Sequence, residues 1–304
     1  MKKSSTILIA GGTGFIGRLL TAYFSQSGFQ VNVLTRSPKQ PGEHYWDGKT
    51  LSGNWPDLLE KTDVLINLAG KSVNCRYTQA NKKAILQSRL ESTAVLQQAM
   101  ENAAQKPPLW LNASSATIYA HSQNHLNTEA NGIIGSDFSM DVVNDWENAF
   151  FSQSIAGVSK AALRISIVMG TGGGAFPEYR AITKRLLGGH QGNGEQWMSW
   201  IHHTDLCRAL AHLMAQPNPQ GVWNITAPQP IRNKAFMQVL RKNTRTPFGL
   251  PAPAALLEVA AAVLGTETEL LLKSRYVYPE RLLQSGFEFA YPNWDAACRQ
   301  LVAC

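Results

Sequence analysis

Apolar and polar positions fall into two textures over the first 170 residues. Short, nearly uncharged runs of β-branched and aliphatic residues predict strands: TILIA (6–10), QVNVLT (30–35), DVLINLA (63–69), LWLNASS (109–115) and AALRISIVMG (161–170). Between them, apolar residues recur every three to four positions and predict helices over 14–27, 78–104 and 139–157. Lys106-Pro107-Pro108 ends the long helix, because proline cannot continue one. Strands this poor in charge are expected where helices cover both faces of a parallel sheet. The fold class this predicts is α/β: a doubly wound parallel Rossmann sheet with a smaller, mostly helical C-terminal substrate region.

The texture changes after Gly170. GTGGGAF and LGGHQGNGEQW are glycine-rich and flank a short helical stretch at about 175–187. A helix near 204–216 and a strand in GVWNITAP follow, and the remainder reads as helix broken by prolines at 228, 230, 247, 251, 253, 279 and 292. The expected division is a doubly wound sheet domain over 1–170, with 203–228 returning to it, and a substrate-side region formed by 171–202 and 229–304.

With 304 residues, 44% of them hydrophobic and 16% charged, the chain can bury a large core. No run is apolar enough for a membrane helix, and the start turns glycine-rich too soon for a signal peptide, so a cytoplasmic protein is expected. Cys75, Cys207, Cys298 and Cys304 form no CxxC or Cys/His cluster, which predicts reduced thiols and no metal. The net charge of +7 comes from scattered lysines and arginines, without a basic block or aromatic interleaving. That excludes a nucleic-acid partner and leaves a solvated basic surface or a phosphorylated ligand.

The candidate chemistry begins at Gly11, Gly14 and Gly17, spaced GxxGxxG at the first strand–helix junction. Glycines there make a tight turn, admit a pyrophosphate against backbone and let the helix pack closely on the strand. The second strand selects the cofactor. An NAD site ends it with an acidic residue for the ribose 2′-hydroxyl, but no acid occurs between Gly17 and Glu43. VLTRSPK instead offers Arg36, backed by Ser37 and Lys39, to a 2′-phosphate, which predicts NADP(H).

These residues resemble the extended short-chain dehydrogenase/reductases. NLAG (67–70) is similar to the family's cofactor-side NxAG element, and SSATIYA to its serine-bearing segment. NLAGKSVNCRYT, SRLEST, DWENAF, QWMSWIHHTDL and VYPERLLQSGFEF further resemble its epimerase-like subgroup, which carries a C-terminal domain of unknown function. The resemblance spans nearly the whole chain. It implies cofactor contacts at Gly11, Thr13, Gly14, Phe15, Ile16, Gly17, Arg36, Ser37, Leu68, Ala69 and Gly70, and a substrate-oxygen donor at Ser115. It also implies a catalytic tyrosine near position 140 and a lysine near 144, where this chain has Met140 and Asn144.

A lysine beside a tyrosine brings its hydroxyl, ordinarily near pKa 10, toward neutrality so that it can act as a base. Without that lysine, reduction of a carbonyl should survive better than alcohol oxidation, and epimerisation should suffer most. Tyr119, four residues past Ser115, is the nearest substitute, and is alternatively a packed residue at the strand end. Glu147 offers an acid but reads more readily as a solvated or helix-paired carboxylate, His202 and His203 read as structural rather than catalytic residues before helix caps at Thr204 and Asp205, and Trp197 and Trp200 read as pocket lining or core, with one of them core. TGGGAF reads either as a cradle for a second phosphate or as a lid hinge. The expected activity is NADPH-dependent reduction of a small, possibly phosphorylated or nucleotide-linked substrate, by a chain that could be oligomeric. The alternatives are a nucleotide-sugar epimerase and a non-catalytic NADP(H)-responsive binding protein.

Overall fold

A computed structural model describes residues 5–258, 267 and 272–304. Seven parallel strands form the central sheet in the order β11-β6-β5-β4-β1-β2-β3. They are β1 (Thr6–Ala10), β2 (Gln30–Thr35), β3 (Glu43–Tyr45), β4 (Val64–Asn67), β5 (Leu109–Ser115), β6 (Ser159–Ile165) and β11 (Gly221–Ile225). The chain runs outward from β1 to β3, then returns to place β4 on the other side of β1. That reversal opens a crevice at the carboxyl ends of β1 and β4, where α/β folds of this kind bind ligands.

Helices α1 (Phe15–Gln26) and α5 (His203–Ala215) cover one face of the sheet, and α2 (Gln79–Asn102) and α3 (Phe138–Phe151) the other. Trp110 on β5 meets Phe150 of α3 edge to face at 5.0 Å, which anchors the second layer. Thr78 caps α2 by accepting from the Asn81 N–H, and Asp137 caps α3 by accepting from Met140. The third predicted helix is shorter than expected. After Phe151 the chain turns so that Ile155 re-enters the core and Gly157 takes φ +78°, a conformation that a continuing helix cannot use.

The run 161–170 is two strands. Ser166 breaks it by donating through backbone and hydroxyl to Ile225 O, and β7 (Ile167–Gly170) leaves the main sheet. It joins β8 (Gly173–Gly174) and β10 (Trp200–His202) in a small sheet, while β9 (Trp197–Met198) pairs with β12 (Ile231–Arg232). Over the described residues, these packed strands, α4 (Phe176–Ile182), α6 (Asn233–Asn243), α7 (Glu280–Gln284) and α8 (Trp294–Ala303) make the C-terminal part a mixture of helix and strand. Its own core is aromatic, with Phe236 stacked on Trp294 at 4.2 Å and Trp200 edge-on to Trp294. Among the described residues no helix is long and apolar enough to cross a membrane, and no group of three His, Cys, Asp or Glu could hold a metal ion.

Candidate functional site

The glycine turn sits at the crevice. Gly11 follows β1 at φ +76°, and a Cβ there would stand 2.9 Å from the Ala69 backbone, so only glycine lets the turn lie against the NLAG segment. A Cβ on Gly17 would stand 2.3 Å from Gly12 O, which fixes how closely α1 approaches the turn. Gly14 begins α1 without a side-chain cap, so the first-turn N–H groups of Phe15, Ile16 and Gly17 have no partner within the helix. Thr13 and Gly14 are exposed beside them. This cradle fits the pyrophosphate of a dinucleotide.

Asn67 at the end of β4 fixes the facing segment. Its amide donates to Asn112 Oδ1 at 2.8 Å and its own oxygen accepts from the Ala69 N–H at 3.0 Å, which orients Leu68, Ala69 and Gly70 toward Gly11. At the end of β2, Arg36 and Ser37 are exposed, and the Arg36 guanidinium has no hydrogen bond or ion pair among the described residues. All eleven sequence-predicted cofactor residues therefore lie on the turns that follow β1, β2 and β4 or in the first turn of α1. The glycines of TGGGAF complete this side. Gly173 and Gly174 press onto the Phe15 ring, where a Cβ on either would come within 2.8 Å.

The serine and the tyrosine of SSATIY separate. Ser115 ends β5 half-buried, and its Oγ accepts from the Thr117 N–H at 3.2 Å and from the Thr117 hydroxyl at 2.9 Å. Both acceptor positions are filled, which leaves the Ser115 proton as the group's remaining hydrogen-bonding capacity. Tyr119 is fully buried. Its hydroxyl donates to Asn224 Oδ1 at 2.8 Å and accepts from Arg164 Nη1 at 2.8 Å. Burial raises its pKa further than the Arg164 charge and hydrogen bonds lower it, so it is a poor base as well as an inaccessible one. The reading of Tyr119 as a catalytic substitute is corrected: it is the packed residue.

Glu147 is corrected too, being neither solvated nor helix-paired. It is buried and grips Arg164 through two hydrogen bonds, Nε to Oε1 at 2.9 Å and Nη2 to Oε2 at 2.7 Å, while Ser114 Oγ donates to Oε1. Burial works against the Arg164 charge, but Glu147 and Tyr119 more than offset it and hold its pKa above the ordinary arginine value. Ser114–Glu147–Arg164–Tyr119–Asn224 is thus a continuous buried network tying β5, α3, β6 and β11 together beneath the crevice. On α3, Met140 is buried and Asn144 exposed.

The helix cap before α5 is His202, which accepts from the Thr204 N–H at 3.2 Å, rather than Thr204 or Asp205. Burial, then the neighbouring His203, lowers its pKa to about 4, so it is neutral and structural. Trp200 is core. Trp197 is half-buried, stacked on Tyr276 at 4.2 Å with the Arg232 guanidinium 4.2 Å from its ring. Sequence reasoning gave no role to Arg89, although it lies in SRLEST, one of the segments that carry the resemblance. The structure puts it at the crevice floor beside Gly70 and Lys71.

Comparison with known proteins agrees with this architecture. Residues 7–226 match the NAD dependent epimerase/dehydratase family, and residues 252–301 match a domain of unknown function. The chain is 33% identical over 298 residues to an epimerase family protein of Staphylococcus saprophyticus, covering 97% of this chain and 98% of that protein. It is 32% identical to the human epimerase family protein SDR39U1, covering 98% and 99%. The crystal structure of that human protein with NADPH superposes with a TM-score of 0.89 at 31% identity, over 98% of this chain and 99% of the other. A nucleoside-diphosphate sugar epimerase from Corynebacterium glutamicum gives a TM-score of 0.80 at 28% identity, over 98% of this chain and 58% of that one. The chain belongs to the NAD dependent epimerase/dehydratase family.

Proposed function

We propose that the protein is an NADP(H)-dependent reductase of a small carbonyl compound. The observation that carries this reading is the Ser115 hydroxyl, whose two acceptor positions are occupied by Thr117 and whose proton therefore serves an oxygen in the crevice. NADPH, which the similar human protein holds in its crystal structure, would lie on the Gly11–Gly17 turn with its 2′-phosphate at Arg36. When bound, it supplies hydride to the carbonyl carbon.

The chain's own residues do the rest. The α1 N-terminus and the Leu68–Gly70 turn hold and orient the cofactor, and Ser115 donates to the carbonyl oxygen as negative charge builds on it. With Tyr119 sequestered, the proton that completes the alcohol comes from water reaching the half-exposed Ser115. Reduction suits such a site because it asks for a proton donor only. Epimerisation must also remove a proton from an alcohol, and Met140 and Asn144 offer no base for that step. The nucleotide-sugar epimerase named among the similar structures supports the second reading, NADP-dependent inversion without net cofactor turnover.

A panel of aldehydes and ketones incubated with NADPH separates the two. Steady cofactor oxidation with at least one compound, lowered about 100-fold in kcat by Ser115→Ala, is expected. Stereochemical inversion of a nucleotide-sugar with no cofactor consumed would replace the reductase reading by the epimerase one, and cofactor binding with neither reaction would favour a non-catalytic role.

A further inference from the structure

Residues 183–194 and 229–257 contain seven lysines and arginines and no aspartate or glutamate, a positive charge equal to the net charge of the whole chain. Distant in sequence, the two segments are laced together in the fold. The Leu250 N–H donates to Leu186 O at 2.8 Å, the Gly189 N–H to Leu250 O at 3.0 Å, and Arg241 Nη1 of α6 to Gly188 O at 2.6 Å. A Cβ on Gly249 would stand 2.4 Å from the Gly188 carbonyl carbon, so the two backbones lie in contact. Cations that look scattered along the chain are thereby gathered around one pair of turns.

Those turns carry apolar side chains at their tips. Leu187, Phe248 and Leu250 are each more than half exposed. Lys184, Arg185, Lys242 and Arg245 are exposed on the same segments, and none of these four side chains has a hydrogen bond or ion pair among the described residues. The backbone is strained at the same place. Leu186 at φ +64° and Arg245 at φ +55° are the non-glycine residues with left-handed backbone among the described residues, and both belong to these segments. The residue that follows the first of them, Leu187, faces solvent instead of core.

We propose that this face docks on an anionic lipid surface, with Leu187, Phe248 and Leu250 entering the headgroup boundary and the four cations meeting lipid phosphates. Charge selects the occupant. A second copy would bring the same uncompensated cations face to face, and a neutral bilayer would leave them unanswered. Acidic headgroups over an acyl interior supply both halves of the match, negative charge and an apolar phase within a side chain's length of it. The association is peripheral, since among the described residues no helix is long and apolar enough to cross a membrane. It does not depend on the reductase reading.

The whole protein is sedimented with vesicles of phosphatidylcholine alone and of phosphatidylcholine with roughly one-third phosphatidylglycerol. Saturable binding to the anionic vesicles is expected, at least about 10-fold stronger than to the neutral ones and largely abolished at about 0.5 M salt. Lys184→Gln with Lys242→Gln should weaken it about 10-fold, and Phe248→Ser with Leu250→Ser by about the same factor at unchanged charge. Thermal melts should match the wild type, because the substituted side chains are exposed, and the salt series on the wild type decides the matter if a variant fails to fold. Equal binding to both kinds of vesicle, binding to neither, or binding that neither pair of substitutions weakens overturns the proposal. A wild-type mass that doubles in lipid-free solution and returns to the monomer in the Phe248→Ser, Leu250→Ser variant assigns the face to a second copy and overturns it. Binding to polyglutamate that anionic vesicles do not compete away assigns it to an acidic protein and overturns it as well.

Discussion

The two walls of the crevice are made by different means. On the cofactor wall the backbone does the work: Gly11 at φ +76° against Ala69, Gly17 against Gly12 O, and uncapped N–H groups at the start of α1. On the opposite wall, side chains from four separate elements do it, with Glu147 of α3 pinning Arg164 of β6, which holds Tyr119, which meets Asn224 of β11. The first wall is specified by two short stretches, Gly11–Gly17 and the NLAG turn that Gly11 packs against. The second exists only once the sheet has assembled, and a defect in one member is felt by all of them.

The second wall should therefore break first in stability, the first in affinity. Glu147→Ala leaves the Arg164 charge buried without its carboxylate, and a loss of about 3–5 kcal/mol in unfolding free energy is expected from urea titration. A loss below about 1 kcal/mol would mean that the network contributes little and that Arg164 finds water or another partner instead.

His202 tests the same principle through pH. Its pKa is about 4 in the fold against 6.5 in the unfolded chain, so the unfolded state takes up protons first as pH falls. The stabilisation is complete above pH 6.5 and is lost as pH falls from there toward 4, amounting to about 3 kcal/mol for the difference of about 2.5 units. His202→Asn keeps an oxygen to cap α5 and removes the titration. The gap between wild-type and variant stability should then change across that window and stay constant above it.

The contrast between the walls also explains what was legible in the sequence. Strands β1, β2 and β5 and the glycine turn are local: uncharged runs, spacing and the missing acid before Glu43 dictate them, and each lies where the pattern puts it. The burial of Tyr119 was not legible. Whether its hydroxyl faces a crevice or an arginine depends on Arg164 and Asn224, 45 and 105 residues away. Glu147 looked solvated for the same reason, since its partner lies on another element. Arg89 was hidden differently: its helix spacing marks only an inner face, and its place under the turn after β4 becomes visible once its Nη1 is seen to hold Lys71 O and Ile85 O. The split of 161–170 into β6 and β7 turns on Ile225, which lies in a strand formed much later in the chain.

The local wall makes a correspondingly local prediction. Arg36→Asp should weaken NADPH about 10- to 100-fold by replacing a charge-assisted contact with a repulsion, and should leave NADH binding nearly unchanged. Unfolding free energy should not move measurably, because the exposed Arg36 side chain has no partner among the described residues. Equal loss for both cofactors would place the 2′-phosphate elsewhere.

Tyr119→Phe is the smallest change and the sharpest test of the boundary between the walls. The phenyl ring keeps its packing among Ala116, Ile118 and Val143, while the lost hydroxyl leaves Arg164 Nη1 and Asn224 Oδ1 each one partner short. About 1–2 kcal/mol of stability should go, since two buried polar groups lose a hydrogen bond but neither charge loses its counter-ion. Turnover at a temperature well below the melting transition should stay within about twofold of wild type, because nothing in the crevice reaches that hydroxyl. Ser115→Ala is the mirror image, with kcat lowered and stability nearly intact, since the groups it releases are the half-exposed Thr117 N–H and hydroxyl. If Tyr119→Phe instead abolished turnover while the protein stayed folded, the hydroxyl would have to reach the crevice in some working state, and the buried network would be part of the chemistry as well as of the scaffold.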